Sequence, residues 1–156
     1  MKTIGFQVIL ISMTVIKSNH CAYEIHYHLV FPLKYRKALL NKEIERELVR
    51  IGHEIEQRYE LNIEQMGADI NHIHLLCFFH PKYSISEMVR KYKSITAREL
   101  FKIHPEIRKD LWGGEFWSDG YYAATVGEKG NWKAVEKYIK NQGQKPEEVQ
   151  LRMFDL

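Results

Sequence analysis

The sequence predicts an α+β domain in which an antiparallel sheet of four strands carries two helices on one face. Three observations point there. Alternation of apolar and polar residues marks strands over 23–31 and along Asn71-His72-Ile73-His74-Leu75-Leu76-Cys77-Phe78-Phe79-His80. Two amphipathic stretches, opened by Asn41 and Ser84, carry helix-capping residues. The resulting order of strand, helix, strand, strand, helix, strand is that of a ferredoxin-like (RRM-like) βαββαβ sheet, with its first and third strands as central neighbours.

In the first strand Tyr23, Ile25, Tyr27, Leu29 and Phe31 share one face, and Glu24, His26 and His28 the other. Pro32-Leu33-Lys34-Tyr35-Arg36-Lys37 ends it in a basic, aromatic turn, either a solvated loop or one that contacts phosphates. Behind Asn41, Ile44, Leu48, Ile51, Ile55 and Tyr59 form an apolar stripe, and Glu43, Glu45 and Glu47 favour the positive helix start. A second strand is predicted over 61–66 and a turn over 67–71.

The third strand holds the most distinctive residues. Period-2 geometry sends His72, His74, Leu76 and Phe78 to one face, and Ile73, Leu75, Cys77 and Phe79 to the core. Two imidazoles one pleat apart either converge on one metal ion or are a pair of surface histidines. The expected topology adds His26 and His28 to the same face, which is predicted to be open.

Ser84 with Glu87 has the form of a capping box. The helix that follows buries Ile85, Met88, Val89, Tyr92, Ile95 and Leu100 and presents Arg90, Lys91, Lys93, Arg98 and Lys102, with Glu99 as their acidic counterpart. Such a face favours a nucleic-acid backbone. Residues 111–117 form a Gly-hinged aromatic loop, suited to closing the core or to stacking bases. A fourth strand is expected over 121–126. Asn131 then caps a last helix with Trp132, Val135, Tyr138, Ile139 and Gln142, stopped by Gly143 and Pro146.

Tyr138 and Gln142, four residues apart, lie on one helical face. If that helix crosses the histidine face, Gln142 offers an oxygen ligand beside two imidazoles, and Tyr138 stands next to the metal. Two nitrogens plus oxygens suit Mg²⁺ or Mn²⁺ as a Lewis acid better than a closed zinc site. Spacing alone equally allows Tyr138 to be a packing aromatic.

The 156 residues suffice for one domain, and a net charge of +3 permits a nucleic-acid partner without demanding one. The two cysteines, Cys21 and Cys77, make no disulfide framework and read as free thiols in a reducing, cytoplasmic setting. Residues 4–11 resemble a short signal-peptide core but are too short and interrupted to span a bilayer. The expectation is translation from Met13, an extension over 1–18, one domain over 19–145 and a charged tail over 146–156.

His72-Ile73-His74, followed downstream by Tyr138-Ile139-Lys140-Asn141-Gln142, resembles the HUH single-tyrosine transposases, most closely those of the insertion sequence 200/605 type. Tyr27-His28-Leu29-Val30-Phe31 with Lys34-Tyr35-Arg36 is similar to that family's first strand and basic turn. Phe116-Trp117-Ser118 with residues 121–127 is similar to its fourth strand. The family often has an aromatic-x-Pro-Lys-Tyr-Arg run, whereas here Pro32 directly follows Phe31, which shifts the turn.

The resemblance implies cleavage and rejoining of single-stranded DNA at element ends located by hairpins. It implies His72, His74 and Gln142 as ligands of Mg²⁺ or Mn²⁺, and Tyr138 as the nucleophile that forms a 5′-phosphotyrosine. It implies a homodimer, and no membrane or nucleotide cofactor is expected. His28 matches a recurrent family position and is expected to support the site or touch DNA rather than to be a ligand. His26 is expected at the surface, and His80 without a role.

Lys34, Tyr35, Arg36, Arg90, Lys91, Lys93 and Arg98 are the expected DNA contacts. The alternatives are a non-catalytic single-strand DNA- or RNA-binding module and a domesticated relative that only nicks. A histidine-triad hydrolase is excluded because Leu76 stands where its third histidine belongs.

Overall fold

A computed structural model describes residues 15–126. The main sheet contains β3 (His26–Pro32), β4 (Leu61–Asp69), β5 (His72–Phe79) and β6 (Tyr122–Val126), in the antiparallel order β4-β5-β3-β6. With α1 (Lys42–Arg58) after β3 and α2 (Ile85–Ile103) after β5, this is the expected βαββαβ order with the first and third strands adjacent. A short helix, α3 (Ile107–Asp110), precedes the aromatic loop. Tyr138 and the last helix expected from sequence lie outside the described residues.

Both principal helices begin where their caps predict. The Asn41 side chain accepts from the backbone N–H groups of Glu43 and Ile44, and Ser84 Oγ accepts from that of Glu87. Each cap satisfies donors that the first helical turn leaves without intrahelical partners. The α1 stripe of Ile44, Leu48, Ile51 and Ile55 is buried with Met88, Val89, Tyr92, Ile95 and Leu100 of α2. They form one core with Leu29, Phe31, Ile73, Leu75, Cys77 and Phe79, so the odd-numbered residues of both central strands face the helices.

Four details differ from the sequence reading. Tyr23 belongs to a small hairpin of β1 (Ile16–Lys17) and β2 (Ala22–Tyr23), and β3 starts only at His26. Pro32 is the last residue of β3, at a strand end where its missing N–H costs no ladder bond in the interior. Tyr121 precedes β6.

The fourth difference is the largest. β4 continues to Asp69, so the turn into β5 is Ile70-Asn71 alone. A bulge between Ile63 and Gln65 puts one extra residue, Glu64, into β4 and shifts the phase of alternation. The apolar positions Leu61, Ile63, Met66 and Ala68 carry that slip, which a strict period of two reads as the end of the strand.

The expected open face is also closed. His26, His28, Val30, His72, His74 and Leu76 are all buried, although α1 and α2 pack against the other side. No described helix is long and apolar enough to cross a membrane.

Candidate active site

The register of β3 and β5 assembles the histidine face. His74 lies opposite Val30, and His28 opposite Leu76, so the two histidines are diagonal neighbours within reach of their rings. His28 Nε2 is 2.9 Å from His74 Nδ1, with the ring planes 18° apart. Tyr122 of β6 meets the other side of the His28 ring edge-on, with centroids 5.9 Å apart. His72 and His74 sit one pleat apart with ring centroids separated by 5.0 Å, and His72 Nδ1 donates to Asn71 Oδ1 at 2.7 Å.

Burial sets the charge of these groups. It pulls His28 down to about 4. It also holds His74 well below the ordinary imidazole range, helped by repulsion from His72 and His28. Both rings are therefore neutral near pH 7, the form that offers a lone pair to a metal.

Among the described residues no group of three or more His, Cys, Asp or Glu side chains could hold a metal ion. Two buried imidazoles one pleat apart, whose Nδ1 atoms are already engaged, nevertheless fit part of a divalent-cation site. Tyr138 and Gln142 lie outside the described residues.

His26 corrects one expectation. It is buried, with Nδ1 2.9 Å from Glu64 Oε2, and its ring lies edge-on to Phe78. The bulge that adds Glu64 brings this carboxylate to the histidine side, where an open face was expected to leave His26 in water. His80 lies just past β5, where it contacts Ser18 Oγ at 3.1 Å and accepts from the Lys82 N–H.

The predicted DNA contacts divide into exposed and engaged groups. In the turn after β3, Tyr35 and Arg36 adopt positive φ of 55° and 48°, and Tyr35 is exposed. A left-handed conformation at two successive non-glycine residues is costly, and it is held here by the surroundings. Lys34 N–H donates to the Phe116 carbonyl, Lys34 Nζ meets Glu115 at 2.6 Å, and Leu33 bridges to Trp117.

On α2, Arg90 and Arg98 are exposed. Lys91 pairs with Glu87 at 3.0 Å and lies over the rings of Tyr59 and Tyr83. The acidic counterpart of this face is thus Glu87 as well as Glu99. Lys93 departs most from expectation: its half-buried ammonium donates to the carbonyls of Ser118 and Gly120, each at 2.8 Å. Burial lowers it to about 8, with Asp119 opposing the shift. Lys93 fastens the loop before β6 instead of presenting a free surface charge.

α2 and residues 114–121 enclose a groove of about 710 Å³, whose lining includes Arg90, Arg98, Lys102, Arg108, Phe101 and Tyr121. It lies on the helix-bearing side of the sheet, opposite the histidines. Phe116 and Trp117 close the core, whereas Trp112 is exposed. Trp117 Nε1 donates to the buried Thr96 hydroxyl at 2.9 Å. Sequence reasoning missed Asn71, Glu64 and Thr96 as partners. Asn71 directly precedes the His-x-His strand, and the phase slip in β4 marks Glu64, but nothing in the sequence singles out Thr96.

Residues 21–142 match the family model described as "Transposase IS200 like". The ISDra2 transposase TnpA of Deinococcus radiodurans is 31% identical over 138 residues, covering 88% of this chain and 97% of that protein. The transposase of insertion sequence element IS200 from Salmonella typhimurium is 29% identical over 123 residues, covering 79% of this chain and 80% of its own.

Among solved structures, one described as a putative transposase from Deinococcus radiodurans superimposes with a TM-score of 0.67 at 29% identity, covering 81% of this chain and 97% of that one. A REP-associated tyrosine transposase bound to a REP hairpin shares the fold, with a TM-score of 0.57 at 12% identity, over 79% of this chain and 70% of that one.

Proposed function

The chain belongs to the IS200-like transposase family, and from that premise we propose that it cleaves and rejoins single-stranded DNA at the ends of its element through a covalent tyrosine intermediate. The observation that carries this reading is the pair His72 and His74: buried, on one sheet face, with both Nδ1 atoms engaged inside the protein. A pair held this way in a DNA-processing family suits a cation beside a scissile phosphate better than a packing role.

Tyr138 Oη attacks the scissile phosphorus. The Oη–P bond forms, the P–O3′ bond breaks, and the phenolic proton is lost as the departing oxygen becomes a 3′-hydroxyl. The 5′-phosphotyrosine keeps the phosphodiester energy, so attack by another 3′-hydroxyl reverses the step and joins a new strand without ATP.

His72 and His74, with Gln142, would hold Mg²⁺ or Mn²⁺, whose contribution is Lewis-acid stabilisation of charge on the phosphoryl oxygens. A tyrosine with an ordinary pKa of about 10 is a weak nucleophile, so positioning supplies much of the rest. The exposed Tyr35, Arg90 and Arg98, with Arg36, are the proposed DNA contacts. Lys34, Lys91 and Lys93 act mainly by ordering the turn, helix and loop that carry them. Hairpins near the element ends, a homodimer and a cytoplasmic site of action complete the reading.

The test incubates the protein with Mn²⁺ and labelled single strands carrying the DNA that flanks its gene. A covalent protein–DNA adduct is expected on a denaturing gel, dependent on divalent metal and absent from Tyr138→Phe. An adduct that persists in Tyr138→Phe assigns the nucleophile elsewhere.

A further inference from the structure

A neutral imidazole carries one N–H, so whatever binds that hydrogen decides which nitrogen keeps the lone pair. For His72 the decision is set by Asn71, whose amide oxygen only accepts. A hydrogen therefore sits on Nδ1, which in the neutral ring leaves the lone pair on Nε2. Asn71 is itself fixed at the turn into β5, where its backbone carbonyl accepts from the Leu33 N–H at 2.8 Å. For His74, Nδ1 meets His28 Nε2 at 2.9 Å, and the His28 ring is clamped between His74 on one side and Tyr122 on the other. Three strands thus hold the His28 ring in place.

We propose that His28 and Asn71 are positioning residues for the ligand pair, each accepting the Nδ1–H of one ring so that both His72 and His74 present Nε2 to a divalent cation. The inference rests on the reading of His72 and His74 as ligands. Partners of this kind orient a ligating ring and raise its basicity, and their loss typically weakens metal affinity about 10–100-fold. The two partners come from separate places, a turn and a neighbouring strand, so their loss can be tested independently.

The experiment measures Mn²⁺ binding to the full-length protein by calorimetry, for wild type, His28→Leu, His28→Gln, Asn71→Ala and Asn71→Asp. Circular dichroism checks each fold, and long-range ¹H–¹⁵N NMR of the Mg²⁺ form reads the ring tautomers. The expected result is a roughly 10–100-fold loss of affinity in His28→Leu and in Asn71→Ala. His28→Gln and Asn71→Asp, which keep an accepting oxygen, should recover most of it. The NMR should show Nδ1–H on both ligand rings of the wild type and loss of that preference at His74 in His28→Leu.

Asn71 stands at a half-buried turn, so Asn71→Ala keeps the test open if His28→Leu fails to fold. Wild-type affinity in folded His28→Leu and Asn71→Ala overturns the proposal while leaving the ligands in place. Weakened binding with unchanged tautomers also overturns it, because the effect then comes from packing. No Mn²⁺ binding by the wild type instead overturns the ligand reading itself.

Discussion

The two His-x-His segments, His26-Tyr27-His28 and His72-Ile73-His74, have the same pattern, lie on adjacent strands and point to the same buried face, yet their surroundings give them different chemistry. His26 meets a carboxylate, Glu64, delivered by a strand bulge. Among the described contacts, His72 meets an amide oxygen, and His28 and His74 meet each other. A buried carboxylate beside an imidazole makes a structural polar pair, costly to break and poorly suited to share a cation. Partners on the Nδ1 side of His72 and His74 would turn their Nε2 atoms toward a cation. The difference shows that spacing nominates a histidine pair, while the partner on the far side of each ring selects between structure and chemistry.

The most severe way to break the comparison is to remove one ring from each pair. His74→Ala is expected to abolish DNA cleavage and to weaken Mn²⁺ binding by more than the roughly 100-fold limit for a supporting partner, with hairpin binding retained in a gel-shift assay. His26→Ala is expected to retain cleavage. It should instead lose about 1–3 kcal/mol of stability in urea unfolding, because Glu64 remains buried without its ring partner. Glu64→Gln, which keeps an oxygen at the same place, should cost less than His26→Ala; equal losses would show that the carboxylate is not what holds His26.

Smaller effects probe the helix-covered side, where no such polar division exists. Trp117→Phe removes the indole donor to Thr96 and should cost about 1 kcal/mol in the same unfolding assay, with cleavage unchanged. Smallest is the effect on thiol chemistry. Burial pushes the Cys77 thiol above its usual range, so it stays protonated and hidden, while Cys21 is only half-buried. Iodoacetamide should label Cys21 in the native protein and Cys77 only after unfolding, as mass spectrometry of the digested protein would reveal. Native labelling of Cys77 would mean that the core side of β5 opens.

Much of the fold was legible because local chemistry and burial agree. Asn41 and Ser84 cap helices whose stripes match the observed core, and the odd-numbered residues of β5 face it as alternation requires. The failures have definite causes. A single inserted residue, Glu64, defeats a period-two reading of β4 and also supplies the partner that buries His26. Charge on a helix does not reveal where a long side chain reaches: Lys93 has the sequence character of Arg90, yet its ammonium turns to the carbonyls of Ser118 and Gly120. The left-handed turn at Tyr35 and Arg36 depends on the contacts of Leu33 and Lys34 with the loop at 115–117, more than 75 residues along the chain. At the site, the His-x-His pair was visible in sequence and the resemblance nominated His28 as its support. The contact of His28 with His74, however, depends on the register between β3 and β5, and Asn71 reads in sequence only as part of a turn.

The claim that only one of the two histidine pairs holds a catalytic cation is tested most directly by electron paramagnetic resonance of Mn²⁺ titrated into wild type, His26→Ala and His74→Ala. The account predicts bound Mn²⁺ with equal affinity in wild type and His26→Ala, and loss of the bound signal in His74→Ala. Retention of that signal in His74→Ala together with its loss in His26→Ala would contradict the account.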